Sequence, residues 1–141
     1  MDFGALGTAL VMGIAATGSA IGIGAAGQAA IGAWKKCYMV NKVAPFILTV
    51  FAGAPLTQTI YGFLLMQQMQ GSDKDPAFLL GLGIASAIAM AVSAVVQGKA
   101  GAAGADALAE TGKGFSQYIT VVGLCETVAL FALVFSMVAL G

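Results

Sequence analysis

Four long runs of apolar and small residues alternate with short polar segments along the chain. The runs extend over residues 3–34, 44–69, 77–108 and 115–140. At about 1.5 Å per residue in a helix, each run can cross a hydrocarbon core of about 30 Å, and the first must tilt or project beyond it. The pattern therefore predicts an all-α membrane protein with four transmembrane helices.

The three polar segments give a predicted orientation. Segment 35–43 carries three lysines, and Lys99 and Lys113 lie around segment 110–114. The middle segment, 70–76, carries one lysine flanked by two aspartates. Because basic residues are enriched in cytoplasmic loops, loops 35–43 and 110–114 are predicted to be cytoplasmic, with both termini and the middle loop outside.

The chain also contains an internal repeat. The sequence of residues 24–30, rich in Gly and Ala, is similar to that of residues 101–107. Each half has a small-residue helix, a basic loop and then a bulkier helix. We therefore predict a single membrane domain, 1–141, built from two duplicated helical hairpins, 3–69 and 77–140.

Small residues form a stripe at helical spacing in the first and third runs. Such stripes let backbones approach closely and drive helix association in lipid. An ordinary four-helix bundle would use them too, but their length and regularity favour a homo-oligomeric ring with the bulkier helices facing lipid. The stripes are Ala15, Gly18, Gly22, Ala25, Ala29 and Gly32, and Ala87, Ala91, Ala94, Gly98, Gly101 and Ala105.

Composition excludes several classes of function. The 141 residues are 60% hydrophobic and 9% charged, with a mean hydropathy of +0.96, whereas soluble domains average about 25% charged residues. Net charge is zero and arginine is absent, so nucleic-acid binding through a basic patch is excluded. The chain has no histidine, which removes the common hydrolytic triads and histidine metal sites. Cys37 lies in the first polar segment and Cys125 in the fourth run, and the two are interpreted as reduced thiols.

Glu126 is the exceptional residue of the fourth run. Apart from the weakly acidic groups of Tyr118 and Cys125, it is the one ionisable side chain between Phe115 and Gly141. A carboxylate at such a depth costs roughly 2.5–3.5 kcal/mol on insertion scales, and intramembrane acids mark ion or proton pathways. Glu126 is therefore the first candidate for a functional site.

The second run adds a polar cluster near its middle. Thr57, Gln58 and Tyr61 are spaced to share one helix face. Pro55 lacks an N–H and kinks the helix, which frees a backbone carbonyl that can contact a cation where it lines a cavity. Together with Gln97 of the third run, these groups could surround Glu126.

The resulting set contains oxygen ligands and one negative charge. Hard cations prefer oxygen, and one carboxylate balances a charge of +1, so the set suits a monovalent cation. A proton would need only the carboxylate and one partner. Buried Gln and Thr also serve as hydrogen-bonding contacts between membrane helices, and tyrosine as an interfacial anchor, so the alternatives stay open at this point.

The whole chain resembles the proteolipid of V-type ATPases, the four-helix membrane rotor protein of the c or K type, and most closely its bacterial sodium-translocating form. Four motifs carry the resemblance: Gly18–Gly24, Pro55–Phe63, Val96–Lys99 and Cys125–Thr127. The resemblance implies a Na⁺ site with the following ligands and closing residue: Glu126, Gln97, Thr57, Gln58, the backbone carbonyl of Ala54, and Tyr61 hydrogen-bonded to Glu126.

The resemblance also implies a mechanism and partners. The chain would be a non-catalytic rotor subunit that carries one Na⁺ past a stator as ATP hydrolysis elsewhere turns the ring. Its partners would be identical subunits, a stator subunit that supplies an arginine, central-stalk subunits at the cytoplasmic loops, and the lipid of a bacterial-type cell membrane. The alternatives are an H⁺-carrying ring of the same family, a small four-helix proton-coupled exchanger, and a purely structural membrane oligomer.

Overall fold

The computed structural model describes residues 2–141, and within that range every regular element is helical. Four helical segments are long and apolar enough to cross a membrane, which confirms the all-α, four-span fold class. The second span is interrupted by a short 3-10 turn, Ala54–Leu56. The α-helices are α1 (Phe3–Met39), α2 (Leu48–Gly53), α3 (Thr57–Gln70), α4 (Pro76–Thr111) and α5 (Phe115–Leu140).

The predicted first loop, 35–43, is wrong at its beginning. Helix α1 continues through Lys35 and Lys36 to Met39, so the connection to α2 is residues 40–47. The helix tolerates these lysines because its 37 residues, about 55 Å, exceed the hydrocarbon thickness. The Nζ of Lys36 lies 3.0 Å from Asp106 and 3.4 Å from Glu110, so α4 supplies the counter-charges.

The third loop is also shorter than predicted. Helix α4 runs to Thr111 and so includes the first two residues of segment 110–114. Gly112 ends the helix with a φ of 66°, and its N–H donates to Leu108 O. Glycine reaches this left-handed conformation without a Cβ penalty, which explains why the helix stops there and not at the charge of Glu110.

The remaining boundaries fall close to the predicted ones. The fourth span, α5, matches its predicted range of 115–140. The second span starts at Leu48, later than predicted, because residues 42–45 are non-helical and Pro45 O accepts a 2.7 Å hydrogen bond from the indole of Trp34. Helix α4 begins at Pro76, where a proline without an N–H fits the first turn.

The two small-residue helices, α1 and α4, pack with their backbones in contact. A Cβ added at Gly98 would clash with Gly22 O, and one added at Gly83 would clash with Gly7 O. Both pairs are separated by the same interval in sequence, so the long helices of the two hairpins run side by side in register. Gly22 and Gly98 belong to the two predicted stripes, whereas Gly32, at the end of the first stripe, is exposed.

The other two spans pack against this pair and bring polar groups together. Helix α3 contacts α1, where Gly62 lies against Ala15, and helix α5 contacts α4. Pro55 is buried beside Gly22 and lies in the 3-10 turn, which agrees with the predicted break in the second span. Cys37 is buried, Cys125 is half-buried, and both thiols are free.

Candidate ion-binding site

The carboxylate of Glu126 is held from two helices. The phenol of Tyr61 on α3 donates a 2.7 Å hydrogen bond to Oε1. The amide Nε2 of Gln97 on α4 donates a 3.1 Å hydrogen bond to Oε2. Each carboxylate oxygen therefore has a hydrogen-bond donor from a different helix inside an apolar span.

Two glutamine side chains form the centre of the site. Gln58 and Gln97 are both fully buried, at 0% exposure. Nε2 of Gln58 donates to Oε1 of Gln97 at 2.8 Å, and Nε2 of Gln97 also donates to Val122 O at 3.1 Å. Burial of two amides in a membrane helix bundle is tolerated because each finds hydrogen-bond partners there.

The 3-10 turn contributes a group of closely spaced oxygens. The hydroxyl of Thr57 lies 3.1 Å from Ala54 O and 3.2 Å from Gln58 Oε1. One hydroxyl hydrogen cannot satisfy both acceptors at once, so lone pairs remain on this group of three oxygens. The backbone bends here because Pro55 has no N–H to continue the α-helical pattern.

All six residues singled out in the sequence lie in one network. Tyr61 contacts Glu126, and Glu126 contacts Gln97. Gln97 in turn contacts Gln58, whose Oε1 lies near the hydroxyl of Thr57. That hydroxyl also faces the backbone carbonyl oxygen of Ala54. In order along the chain, the six are Ala54, Thr57, Gln58, Tyr61, Gln97 and Glu126.

Sequence reasoning missed Ser93 and two backbone carbonyls. Ser93 Oγ donates to Cys125 O at 2.7 Å and accepts from Gln58 Nε2 at 3.3 Å. The carbonyls of Val122 and Cys125 face the site from α5. A serine in a Gly- and Ala-rich helix resembles one more small packing residue. The spacing of Ser93 one turn before Gln97 was the available signal.

The chemistry of the network is that of an oxygen site with one formal charge. No cluster of three or more His, Cys, Asp or Glu side chains occurs in residues 2–141. The carboxylate is joined by amide, hydroxyl and carbonyl groups, which are ligands for hard cations. The arrangement can hold a proton or one monovalent cation at Glu126.

Comparison with known proteins points to membrane subunits of rotary ATP synthases. Residues 80–139, which include Gln97 and Glu126, match the family model of the ATP synthase C subunit. The chain is also 36% identical over 139 residues to the K subunit of the A-type ATP synthase of Methanocaldococcus jannaschii. That alignment covers 97% of this chain and 61% of the relative, so the chain spans less than two thirds of the relative's length. With four helices long enough to span a membrane and an intramembrane carboxylate, the chain is thus similar to the proteolipids of A/V-type ATPases.

Proposed function

We propose that the chain is the ion-carrying rotor subunit of a rotary ATPase and that each copy binds one Na⁺ at Glu126. The observation that carries this proposal is the oxygen-rich network around a single intramembrane carboxylate. Identical copies form a ring, and the protein performs no hydrolysis itself. Similarity to the proteolipids of A/V-type ATPases supports the rotor role, and the ligand set supports the choice of ion.

The case for Na⁺ over H⁺ rests on the groups that a proton does not need. Glu126 already has donors from Tyr61 and Gln97. A proton carrier would require little more, yet a second buried amide, Gln58, and the paired oxygens of Thr57 and Ala54 extend the network. Na⁺ would draw these oxygens and Glu126 into one coordination shell, and Gln97 Oε1 would contact the ion in addition to, or in exchange for, its bond to Gln58.

The surroundings of Glu126 determine when the ion can leave. Leu124 and Val128, on either side of it along α5, are 65% and 57% exposed. In the ring these apolar residues face lipid, where an unpaired carboxylate is strongly disfavoured. A site must therefore be occupied or protonated while it passes the bilayer. At the stator, a fixed arginine from a different protein competes for Glu126 and releases the ion.

The proposed orientation keeps both termini outside and the connections 40–47 and 112–114 in the cytoplasm. Lys36 lies just before the first connection and Lys42 lies within it, and their Nζ atoms contact Asp106 and the backbone oxygen of Glu110, respectively. The loop ends of both hairpins are thus linked and form one surface for the central stalk. The membrane is a cell membrane of the bacterial type. Similarity to the proteolipids argues against the small exchanger, which would be an unrelated protein of similar size.

Carbodiimide labelling of Glu126 tests the ion. The reagent modifies only a protonated carboxyl, so a bound Na⁺ should block it. We expect millimolar Na⁺ to protect Glu126 in the assembled ring, with K⁺ at the same concentration as the control for ionic strength. If Glu126 reacts readily and Na⁺ gives no protection, the ring carries H⁺ and the sodium assignment is wrong.

A further inference from the structure

Ser93 lies on the same helix as Gln97 and joins it to the other two helices that carry ion-site residues, α3 and α5. Its side chain is 4% exposed, and it lies on α4 one turn before Gln97. Its Oγ donates to Cys125 O on α5, next to Glu126, and accepts from Gln58 Nε2 on α3. The Ser93 hydroxyl therefore donates its one hydrogen to α5 and accepts a hydrogen bond from α3.

The contact fixes the direction in which Gln58 points. Its amide nitrogen has two hydrogens, and the two acceptors are Ser93 Oγ at 3.3 Å and Gln97 Oε1 at 2.8 Å. Because both hydrogens are engaged, the Gln58 amide is held against the 180° rotation that would exchange its oxygen and nitrogen. Its Oε1 therefore faces Thr57 Oγ1 at 3.2 Å. If the amide were reversed, it would present hydrogens to the oxygens of the 3-10 turn and repel a cation.

We propose that Ser93 is a positioning residue of the ion site, which holds Gln58 Oε1 toward the oxygens of Thr57 and Ala54. The inference rests on the proposed sodium function. Ser93 makes no contact with Glu126 among the hydrogen bonds of the site, so it acts through Gln58. Its role increases when Gln97 Oε1 turns toward a bound ion, because Ser93 is then the remaining acceptor for the Gln58 amide.

The chain supplies a matched control in Ser86. This serine lies on the same helix two turns before Ser93 and is 5% exposed. Its Oγ is 2.7 Å from Ser136 Oγ, so it also links α4 to α5, but it contacts no residue of the ion site. Ser86→Ala removes a buried hydrogen bond between the same two helices and leaves Gln58 untouched.

The test measures Na⁺ protection of Glu126 from carbodiimide in membranes that contain the assembled ring. We expect Ser93→Ala to raise the protective Na⁺ concentration about five- to tenfold, the effect of roughly one buried hydrogen bond, and Ser86→Ala to change it less than about twofold. The pH dependence of labelling without Na⁺ should stay the same in Ser93→Ala, because the Tyr61 and Gln97 donors to Glu126 are retained.

A double-mutant cycle separates positioning from general packing. In a Gln58→Leu background, Ser93→Ala should have almost no further effect on the protective Na⁺ concentration, because the amide it positions is gone. Equal protection in wild type and Ser93→Ala, or an equal loss in Ser86→Ala, would overturn the inference while leaving the sodium site intact. Absence of Na⁺ protection in the wild type would instead overturn the sodium function and this inference with it.

Discussion

The two hairpins carry similar local sequences at the level of the candidate site, but only the second hairpin has a carboxylate there. Leu56 and Thr59 of the first hairpin correspond to Leu124 and Thr127 of the second, and between them Gln58 corresponds to Glu126. An amide in one half thus occupies the position of a carboxylate in the other. The difference gives one carboxylate to every four helices, which under the proposed function means one ion.

The two corresponding side chains meet through a third residue. Gln97 accepts a hydrogen bond from Gln58 and donates one to Glu126. An amide is suited to this place because it carries an acceptor and a donor on one rigid plane. The comparison teaches that the duplicated positions have become parts of a single site instead of two separate ones.

The largest effect should follow from making the two hairpins alike. Glu126→Gln places an amide at both positions and removes the only formal charge of the site. We expect carbodiimide labelling at this position and ATP-driven ion uptake by the reconstituted complex to be lost, while the ring still assembles. Glu110→Gln, at the exposed end of α4, is the control and should retain uptake. Substantial ion transport by Glu126→Gln would mean that the charge of the second hairpin is not the carrier.

The second-largest effect should follow from replacing Gln97, the residue that connects the two hairpins at the site. Gln97→Leu takes away a proposed ligand, the donor to Glu126 Oε2 and Val122 O, and one of the two acceptors of Gln58 Nε2. Since hydrogen bonds to charged groups contribute about 1.5–3 kcal/mol, we expect Na⁺ affinity to fall about 100-fold. The Na⁺ concentration that protects Glu126 from carbodiimide measures this affinity. Gln67→Leu, at an exposed position, is the control. Unchanged affinity would exclude Gln97 as a ligand and as a connection.

The smallest effect concerns a group that has no counterpart in the other half. Tyr61 corresponds to Ala129, which has no hydroxyl. Tyr61→Phe removes the 2.7 Å hydrogen bond to Glu126 Oε1 and keeps the aromatic ring of the side chain. Because Glu126 keeps its donor from Gln97 when the phenol is lost, we expect Na⁺ affinity to fall only about five- to tenfold. Exchange of ²²Na⁺ from isolated rings should also become faster. Tyr38→Phe, at a site 69% exposed, is the control, and equal exchange rates in both variants would assign Tyr61 to packing.

Much of the fold could be predicted from the sequence because a helix needs a minimum apolar length to cross the hydrocarbon core of a membrane. Helix α5 begins at the predicted residue because Gly114, with a φ of 90°, precedes a mostly apolar run. Helix α1 extends beyond its predicted limit because a helix that projects into water can carry Lys35 and Lys36 near its end. The beginning of α2 depended on the non-helical backbone around Pro45, which composition alone did not locate.

For the site, the residues with rare chemistry in a membrane span were predictable, and those with common chemistry were not. A carboxylate or an amide is costly in lipid, so Glu126, Gln58 and Gln97 stood out individually. Ser93 is inexpensive to bury and resembles its alanine neighbours, so only its contacts distinguish it. Backbone carbonyls such as Val122 O have no signature in sequence at all.

The backbone contact of α1 with α4 has a mechanical consequence. The helices touch at Gly7 with Gly83 and at Gly22 with Gly98, and the exposed ion pair of Lys36 with Asp106 links them near their C-terminal ends. Glycine has no side-chain rotamers that can rearrange under load. Sliding of one helix along the other is therefore resisted by directly packed backbone atoms. If the ring turns as proposed, torque applied at the loops should reach the level of Glu126 with little elastic lag. The glycines would then set the torsional stiffness of the rotor.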